Sequence, residues 1–170
     1  WSPAPRMVLF PNEFHCSRSL RRSLRKRAYR VSVNMAFEDV IRACAEPRSP
    51  AEGTWLLPEM IESYVALNRS GHAHSVEVWR NGELVGGLYG IAIGQMFFGE
   101  SMFSRSEDAS KVALGRLVEL REDFERRGAA TWGGLLDDVA AFGKALKTAS
   151  AADWPTFRGD PARSEATEET

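Results

Sequence analysis

Cysteine is nearly missing from this chain, and its scarcity excludes a disulfide scaffold and a thiolate metal site. Cys16 and Cys44 are the only two in 170 residues, and they lack metal-ligand spacing. Both read as free thiols of a reducing compartment, so a cytoplasmic location is expected. Histidine is almost as rare. His72 and His74 form an H-x-H pair, but no third ligand cluster lies nearby in sequence, so both read as structural and no metal is expected. Long apolar runs are absent too: the longest, 84–98, is interrupted by Gly86, Gly87, Gly90, Gly94 and Gln95 and reads as strands, far short of the ~18–20 residues of a membrane span. The first residue is Trp1 and no leader pattern of a basic then an apolar stretch is read there, so the chain is expected either to start inside a longer protein or to have lost its beginning. Repeats and low-complexity tracts are missing as well, and the length suits one ordinary domain, expected as a monomer.

The net charge is only −1, but it is unevenly spread. Arg18, Arg21, Arg22, Arg25, Lys26, Arg27 and Arg30 fall within thirteen residues that contain no acid, whereas the segment from Asp160 onward holds four acids against one arginine. A block of like charge can be a solvated face. Six arginines that can grip phosphate bidentately suit a nucleic-acid backbone better. Leu20 and Leu24 interleave with the block, which predicts a short helix with one apolar side docked on the body and a basic side turned to a polyanion.

Along the chain, Met7 to Phe10 is expected as a strand ended by Pro11, and Tyr29 to Val33 as a second. Asn34 is expected to cap a helix from Phe37 to Cys44, with Phe37, Val40, Ile41 and Cys44 on one face. Pro58 opens another helix that closes near Gly71, its apolar face being Met60, Ile61, Tyr64, Val65 and Leu67. A three-strand antiparallel unit follows. His74 to Trp79 sets Val76 and Val78 against Glu77, Asn81-Gly82 makes a tight turn, Glu83 to about Ile93 returns, and Gly94-Gln95 leads into Met96 to Phe103. Ser106 is expected to cap a helix from Glu107 to Arg127 with a stripe of Val112, Ala113, Leu117, Leu120 and Phe124. Residues 129–148 are ambiguous, and 149–170 read as a disordered polar tail. Strands followed by a helix on one face make an α+β domain. In the last strand Glu100 breaks Phe97-Phe98-Gly99-Glu100-Ser101-Met102-Phe103. A carboxylate in apolar company must be paired, hydrogen-bonded or protonated, so Glu100 is a site candidate, with an edge position or an arginine partner as the plainer alternative.

The segments GHAHSVEVW, ELVGGLYG, FFGESMFSR and ASKVAL resemble those of the bacterial leucyl/phenylalanyl-tRNA–protein transferases. The resemblance runs upstream through WSPAPRMVLFP, FHCSRSLRR, YRVSVNMAFEDVIRACA and GTWLLPEMIESYVALNRSG, and covers about residues 1–118. It implies a small N-terminal domain, here only a remnant with the basic patch over 1–30, and an acetyltransferase-like catalytic domain over 31–148. The implied reaction moves Leu, Phe or Met from an aminoacyl-tRNA to an N-terminal Lys or Arg of a protein, marking it for degradation, with no cofactor. Aminolysis of an ester needs a neutral attacking amine and donors for the oxyanion. The resemblance puts the aminoacyl pocket on Leu88, Phe97, Gly99 and Leu114, sets Glu100 beside the ester, and uses Trp55 and Tyr64 to orient the terminal adenosine. It assigns tRNA binding to Arg18, Arg21, Arg22, Arg25, Lys26 and Arg27.

The chain departs from the family after about Gly115. The family's Asp-Cys-Gln triplet has its nearest match in Asp137-Asp138-Val139. Asp137 is then the candidate for activating the acceptor, while Val139 cannot hydrogen-bond through its side chain. Losing one such group costs about 10²- to 10⁴-fold in rate, so the chain alone is expected to be weakly active or inactive, and a tRNA-binding protein without chemistry is the alternative. An acetyl-CoA-using acyltransferase is the third reading. It needs a glycine-rich pyrophosphate turn where this chain has Ser104-Arg105-Ser106-Glu107-Asp108, a junction hostile to phosphate.

Overall fold

In the computed structural model, residues 7–25, 29–47 and 53–126 are described, together with 131, 133, 134, 136, 137, 140 and 141. Two tight turns organise them. Asn81 and Gly82 both take positive φ, 53° and 84°, and join β2 (Ala73–Arg80) to β3 (Glu83–Ile93); Gly94, at φ 57°, helps turn β3 into β4 (Met96–Ser104). The left-handed region is open to Gly and tolerated by Asn, which is why these residues set the register here. A fourth strand, β1 (Arg30–Val33), pairs antiparallel with β2, so the sheet order is β1-β2-β3-β4. The three-strand unit is thus extended by one non-local strand.

Helices cover both faces of the sheet rather than one. On one side α1 (Arg18–Arg25) and α4 (Ala109–Arg126) build a core with Leu20, Leu24, Val33, Val76, Val78, Leu88, Val112, Ala113, Leu117 and Leu120. On the other side α2 (Phe37–Ala45) and α3 (Pro58–Arg69) pack Phe37, Val40, Ile41, Leu56 and Ile61 against Ala73 and Tyr89. The reason is in β2. Its residues alternate between the two cores, and all six from Ala73 to Val78 are buried. The fold is α+β, as the element order predicted.

Several local expectations change. Met7 to Phe10 is no strand: it has no strand partner among the described residues, its side chains are 99%, 58%, 48% and 57% exposed, and a 3-10 turn over Pro11–Glu13 follows. Asn34 does not cap α2. It takes φ 53°, its Oδ1 accepts from the Ser75 amide at 3.0 Å, and its Nδ2 lies 2.9 Å from His74 Nδ1. The start of α2 is instead met by Glu77 Oε1, which accepts from the amides of Met35 and Ala36 at 3.3 and 3.4 Å. An acid one strand away does the work of a local cap, because the helix N-terminus carries orphan N–H groups and partial positive charge. Nor does the Ser106 hydroxyl cap α4. It meets Tyr29 Oη at 2.9 Å, and the helix begins at Ala109. Pro58, by contrast, opens α3 as its position predicts, and Gly71 follows the helix at φ 76°.

Glu77 stands apart from its neighbours in β2. It sits opposite the valines in the alternation, as a solvent-facing residue would, yet it is 0% exposed. Its carboxylate accepts from Ser75 Oγ at 2.5 Å, from Ser32 Oγ and from the Met35 and Ala36 amides just before α2, and Trp79 Nε1 donates to Ser32 behind it at 2.8 Å. A buried carboxylate is tolerable only with such a full set of donors. Burial still dominates and pushes its pKa up against the four hydrogen bonds that lower it.

Candidate active site

The last strand carries a β-bulge, and the bulge sets the direction of Glu100. Tyr89 pairs with Ser101 and Gly90 with Gly99, which leaves Glu100 without a cross-strand partner. The extra residue inverts the alternation of β4. Phe97 packs into the α1/α4 core, whereas Phe103, an even six residues on, packs into the α2/α3 core. Glu100 lies in the bulge, close enough to Tyr64 of α3 and Tyr89 of β3 for its charge to act on both phenols. It is half-buried, so among the described residues the fully buried carboxylate is Glu77 and not Glu100.

Around Glu100 stand two phenols. The Tyr64 and Tyr89 rings meet edge to face with centroids 5.2 Å apart, and Phe37 meets Tyr89 the same way at 5.8 Å. Burial first, then the negative charge of Glu100 and a hydrogen bond to it, push the Tyr64 phenol up to about 12. Burial raises the Tyr89 phenol further still, with smaller contributions from Tyr64, Cys44 and Glu100. Both tyrosines are neutral donors at any ordinary pH. Among the described residues the Tyr89 hydroxyl is buried and has no hydrogen-bond partner.

The residues expected to line an apolar pocket come together on the opposite face. Leu88 is 3% exposed and part of the α1/α4 core, against which the partly buried Phe97 and Leu114 pack. A side chain at Gly90 would collide with the Phe98 carbonyl at 2.2 Å and with the Phe97 ring at 2.7 Å, so the Phe97 ring occupies the space that Gly90 leaves. At Gly99 a Cβ would meet nothing within 4 Å. Gly99 thus gives free access to the β4 backbone right beside Glu100. Trp55 lies in the loop before α3 and is 50% exposed, available to a ligand as a stacking surface.

Asp137 belongs to another group. It is helical in conformation and its side chain is 58% exposed; Oδ1 lies 3.8 Å from His74 Nδ1, and a Cβ on Gly71 would come 3.4 Å from Oδ2. Its described contacts include none with Glu100. His74 itself is 1% exposed. Burial lowers its pKa, partly opposed by the charge of Asp137. Since Asn34 Oδ1 already accepts from Ser75, Asn34 Nδ2 faces His74 Nδ1, which then accepts and leaves the proton on Nε2. His72 bonds elsewhere, its Nδ1 lying 3.1 Å from Ser70 Oγ.

The basic helix docks as its pattern predicted. Leu20 and Leu24 are 6% and 8% exposed against α4, while Arg18, Arg21 and Arg22 are exposed. Arg116 Nη2 donates to the Leu24 carbonyl at 2.7 Å, placing a cation at the C-terminal end of α1 where the helix dipole favours it. The side chain of Arg25, and Lys26 and Arg27 altogether, lie outside the described residues, as does the expected tail over 149–170. No helix among the described residues is long and apolar enough to cross a membrane.

The bulge and the Tyr89 position escaped the sequence reading. The available signal was Gly99-Glu100 inside a strand, since glycine within a strand often marks a bulge.

Residues 8–132 match the family model for leucyl/phenylalanyl-tRNA protein transferase, some way beyond residue 118, where the motif resemblance fades. The chain is 52% identical over 167 residues to the leucyl/phenylalanyl-tRNA–protein transferase of Stutzerimonas stutzeri, a match covering 91% of this chain and 74% of that protein. It is 60% identical over 123 residues to the protein of the same name from Pseudomonas fluorescens, covering 72% and 54%. With that of Pseudomonas syringae pv. syringae it shares 61% identity over 119 residues, covering 70% and 52%. The chain thus spans about half the length of most of the curated relatives it matches. With the family model covering most of its length and identities above one half, this chain belongs to the leucyl/phenylalanyl-tRNA protein transferase family.

Proposed function

We propose that this chain is an aminoacyl-tRNA–protein transferase of the cytoplasm. It moves Leu, Phe or Met from an aminoacyl-tRNA to an N-terminal Lys or Arg of a protein, which marks that protein for degradation. The observation that carries the reading is the β4 bulge, which puts Glu100 and Tyr64 on one side of the strand and the Phe97 ring on the other, with open backbone at Gly99 between them. A substrate laid across β4 at Gly99 has an apolar surface for its side chain at Phe97 and Leu114, backed by Leu88. It also has a carboxylate, Glu100, for its α-ammonium or a ribose hydroxyl. Trp55 and Tyr64 orient the adenosine by stacking, and the exposed arginines of α1, with Arg25, Lys26 and Arg27 after them, hold the acceptor stem through phosphates and shape. The sheet with helices on both faces is in this reading the acetyltransferase-like domain of a monomer, joined to the end of a smaller N-terminal domain.

Chemically, the attacking amine must be neutral and must lose a proton as the ester breaks. Asp137 is the acceptor-side carboxylate, exposed and 3.8 Å from Nδ1 of the buried, neutral His74. It stands with His74 and not with Glu100, and the triplet partner able to hydrogen-bond is replaced by Val139. The transfer rate is therefore expected about 10²- to 10⁴-fold below that of a chain carrying the whole triplet. The test is transfer of radiolabelled Phe from Phe-tRNA to an Arg-initiated peptide by the whole chain. Transfer above the enzyme-free rate supports the reading. Salt-dependent tRNA binding without transfer would replace it with a tRNA-binding protein.

A further inference from the structure

Gly90 is required by space and not by its backbone. Among the described residues the glycines with positive φ are Gly71, Gly82 and Gly94, so the φ of Gly90 does not call for glycine. What position 90 lacks is room. A Cβ there would stand 2.2 Å from the Phe98 carbonyl oxygen and 2.7 Å from both Cε1 and Cζ of Phe97. The far end of the Phe97 ring therefore rests on the bare backbone of β3. Strand pairing brings it there: Phe97 lies opposite Ala92, and Gly90, two residues back along β3, is its diagonal neighbour on the same face. An aromatic ring laid across a glycine in this way covers the strand that the glycine leaves bare. On the other face Phe103 stands directly opposite Gly87, where a Cβ would meet its Cε1 at 3.2 Å. That contact belongs to the α2/α3 core, whereas Phe97 is a surface proposed for the substrate's side chain.

We propose that Gly90 is a specificity-determining residue of the aminoacyl pocket: by seating the Phe97 ring on β3, it leaves the pocket deep enough for the side chain of Phe as well as that of Leu. The inference rests on the proposed function for the pocket itself and adds what sets its depth. With a methyl group at position 90 the ring must retreat by about 1 Å to regain ordinary carbon contact. With β3 beneath it, the ring moves outward, to the side where α4 and Leu114 lie. The space lost is that of the larger substrate, so Phe is excluded before Leu.

Two readouts on the whole chain test this. The first is the ratio of kcat/KM for Phe-tRNA over Leu-tRNA, each offered with the same Arg-initiated peptide. Gly90→Ala is expected to lower that ratio about tenfold, whatever it does to the rate with either donor. A ratio that stays within about twofold overturns the role in selection, since a merely structural glycine lowers both rates together. Phe97→Leu ends short of Cε1 and Cζ, so it deepens the pocket and should raise the ratio. Where Gly90→Ala does not fold, this variant decides, and an unchanged or lowered ratio overturns the proposal. The second readout is a double-mutant cycle in thermal midpoint with Gly90→Ala, Phe97→Leu and the double variant. The double variant should fall about 2 to 4 °C less than the sum, because the ring that collides with the new methyl is gone. Additive shifts overturn the contact, and the proposal with it. If the unmodified chain transfers neither residue, the proposed function fails and takes the selection with it, while the midpoint cycle still decides the contact. Transfer with an unchanged ratio overturns this inference alone.

Discussion

Two carboxylates of the same sheet have opposite surroundings. Glu77, in β2, is fully buried and takes donors from Ser32, Ser75, Met35 and Ala36. Glu100, pushed out of β4 by the bulge, is half-buried between phenols at the open edge of Gly99. The first uses up its acceptor capacity inside the fold. The second keeps capacity for a ligand. Burial alone is thus a poor guide to function; what distinguishes the two acids is how completely the protein satisfies each.

The largest expected effect is on the structural side of that contrast. Glu77→Leu strands two hydroxyls and two helix-terminal amides, and is expected to destabilise the fold by about 3–5 kcal/mol, read as a urea midpoint. A loss under about 1 kcal/mol would show that the network is not what holds α2 to β2. Next come the two glycines flanking the bulge. Gly90→Ala drives a Cβ into the Phe98 carbonyl and is expected to cost about 1–3 kcal/mol, while Gly99→Ala, facing open space, leaves the urea midpoint within about 0.5 kcal/mol. Equal effects would contradict the bulge geometry.

On the polyanion side, replacing Arg18, Arg21 and Arg22 together by Gln is expected to weaken tRNA binding. The slope of log affinity against log salt should fall by about 2 to 3, with the fold retained. An unchanged slope would move the tRNA surface elsewhere.

The smallest effect is in pH. The folded state raises the Glu77 pKa above its ordinary 4.5, so the folded chain holds that proton more tightly than the unfolded one. Stability from this group is present below about pH 4.5 and is lost as pH rises through the raised value. His74 acts with the opposite sign. Its pKa is lowered from 6.5, so its contribution is full above pH 6.5 and is lost as pH falls through the lowered value. Stability curves of Glu77→Gln and His74→Gln against pH should each lack one of these slopes, measured as change relative to their own maximum.

Much of the fold was legible because its signals are local. Asn81-Gly82, Pro58 and the stripe of Val112, Ala113, Leu117 and Leu120 depend on φ preferences and helical spacing that a few residues set by themselves. What was hidden depends on contacts distant in sequence. The alternation of β2 reads Glu77 as solvent-facing, and only the helices packed over that face reveal its burial. Asn34 looks like a cap until Ser75 and His74 claim its amide. Met7 to Phe10 has strand propensity but pairs with no strand among the described residues. For the site, the motifs named Glu100, Tyr64 and Phe97. The bulge that divides them between two faces, and Tyr89 behind Glu100, appear only once β3 and β4 are in register.

One paired measurement tests the contrast most directly: Glu77→Gln and Glu100→Gln, each assayed for urea midpoint and for Phe transfer to an Arg-initiated peptide. Glu100→Gln is expected to keep its midpoint within about 0.5 kcal/mol and lose transfer about 10²- to 10³-fold. Glu77→Gln is expected to lose about 1–3 kcal/mol of stability and, while folded, to transfer at the unmodified rate. The reverse pattern, with Glu100→Gln unstable and fully active, would contradict the account.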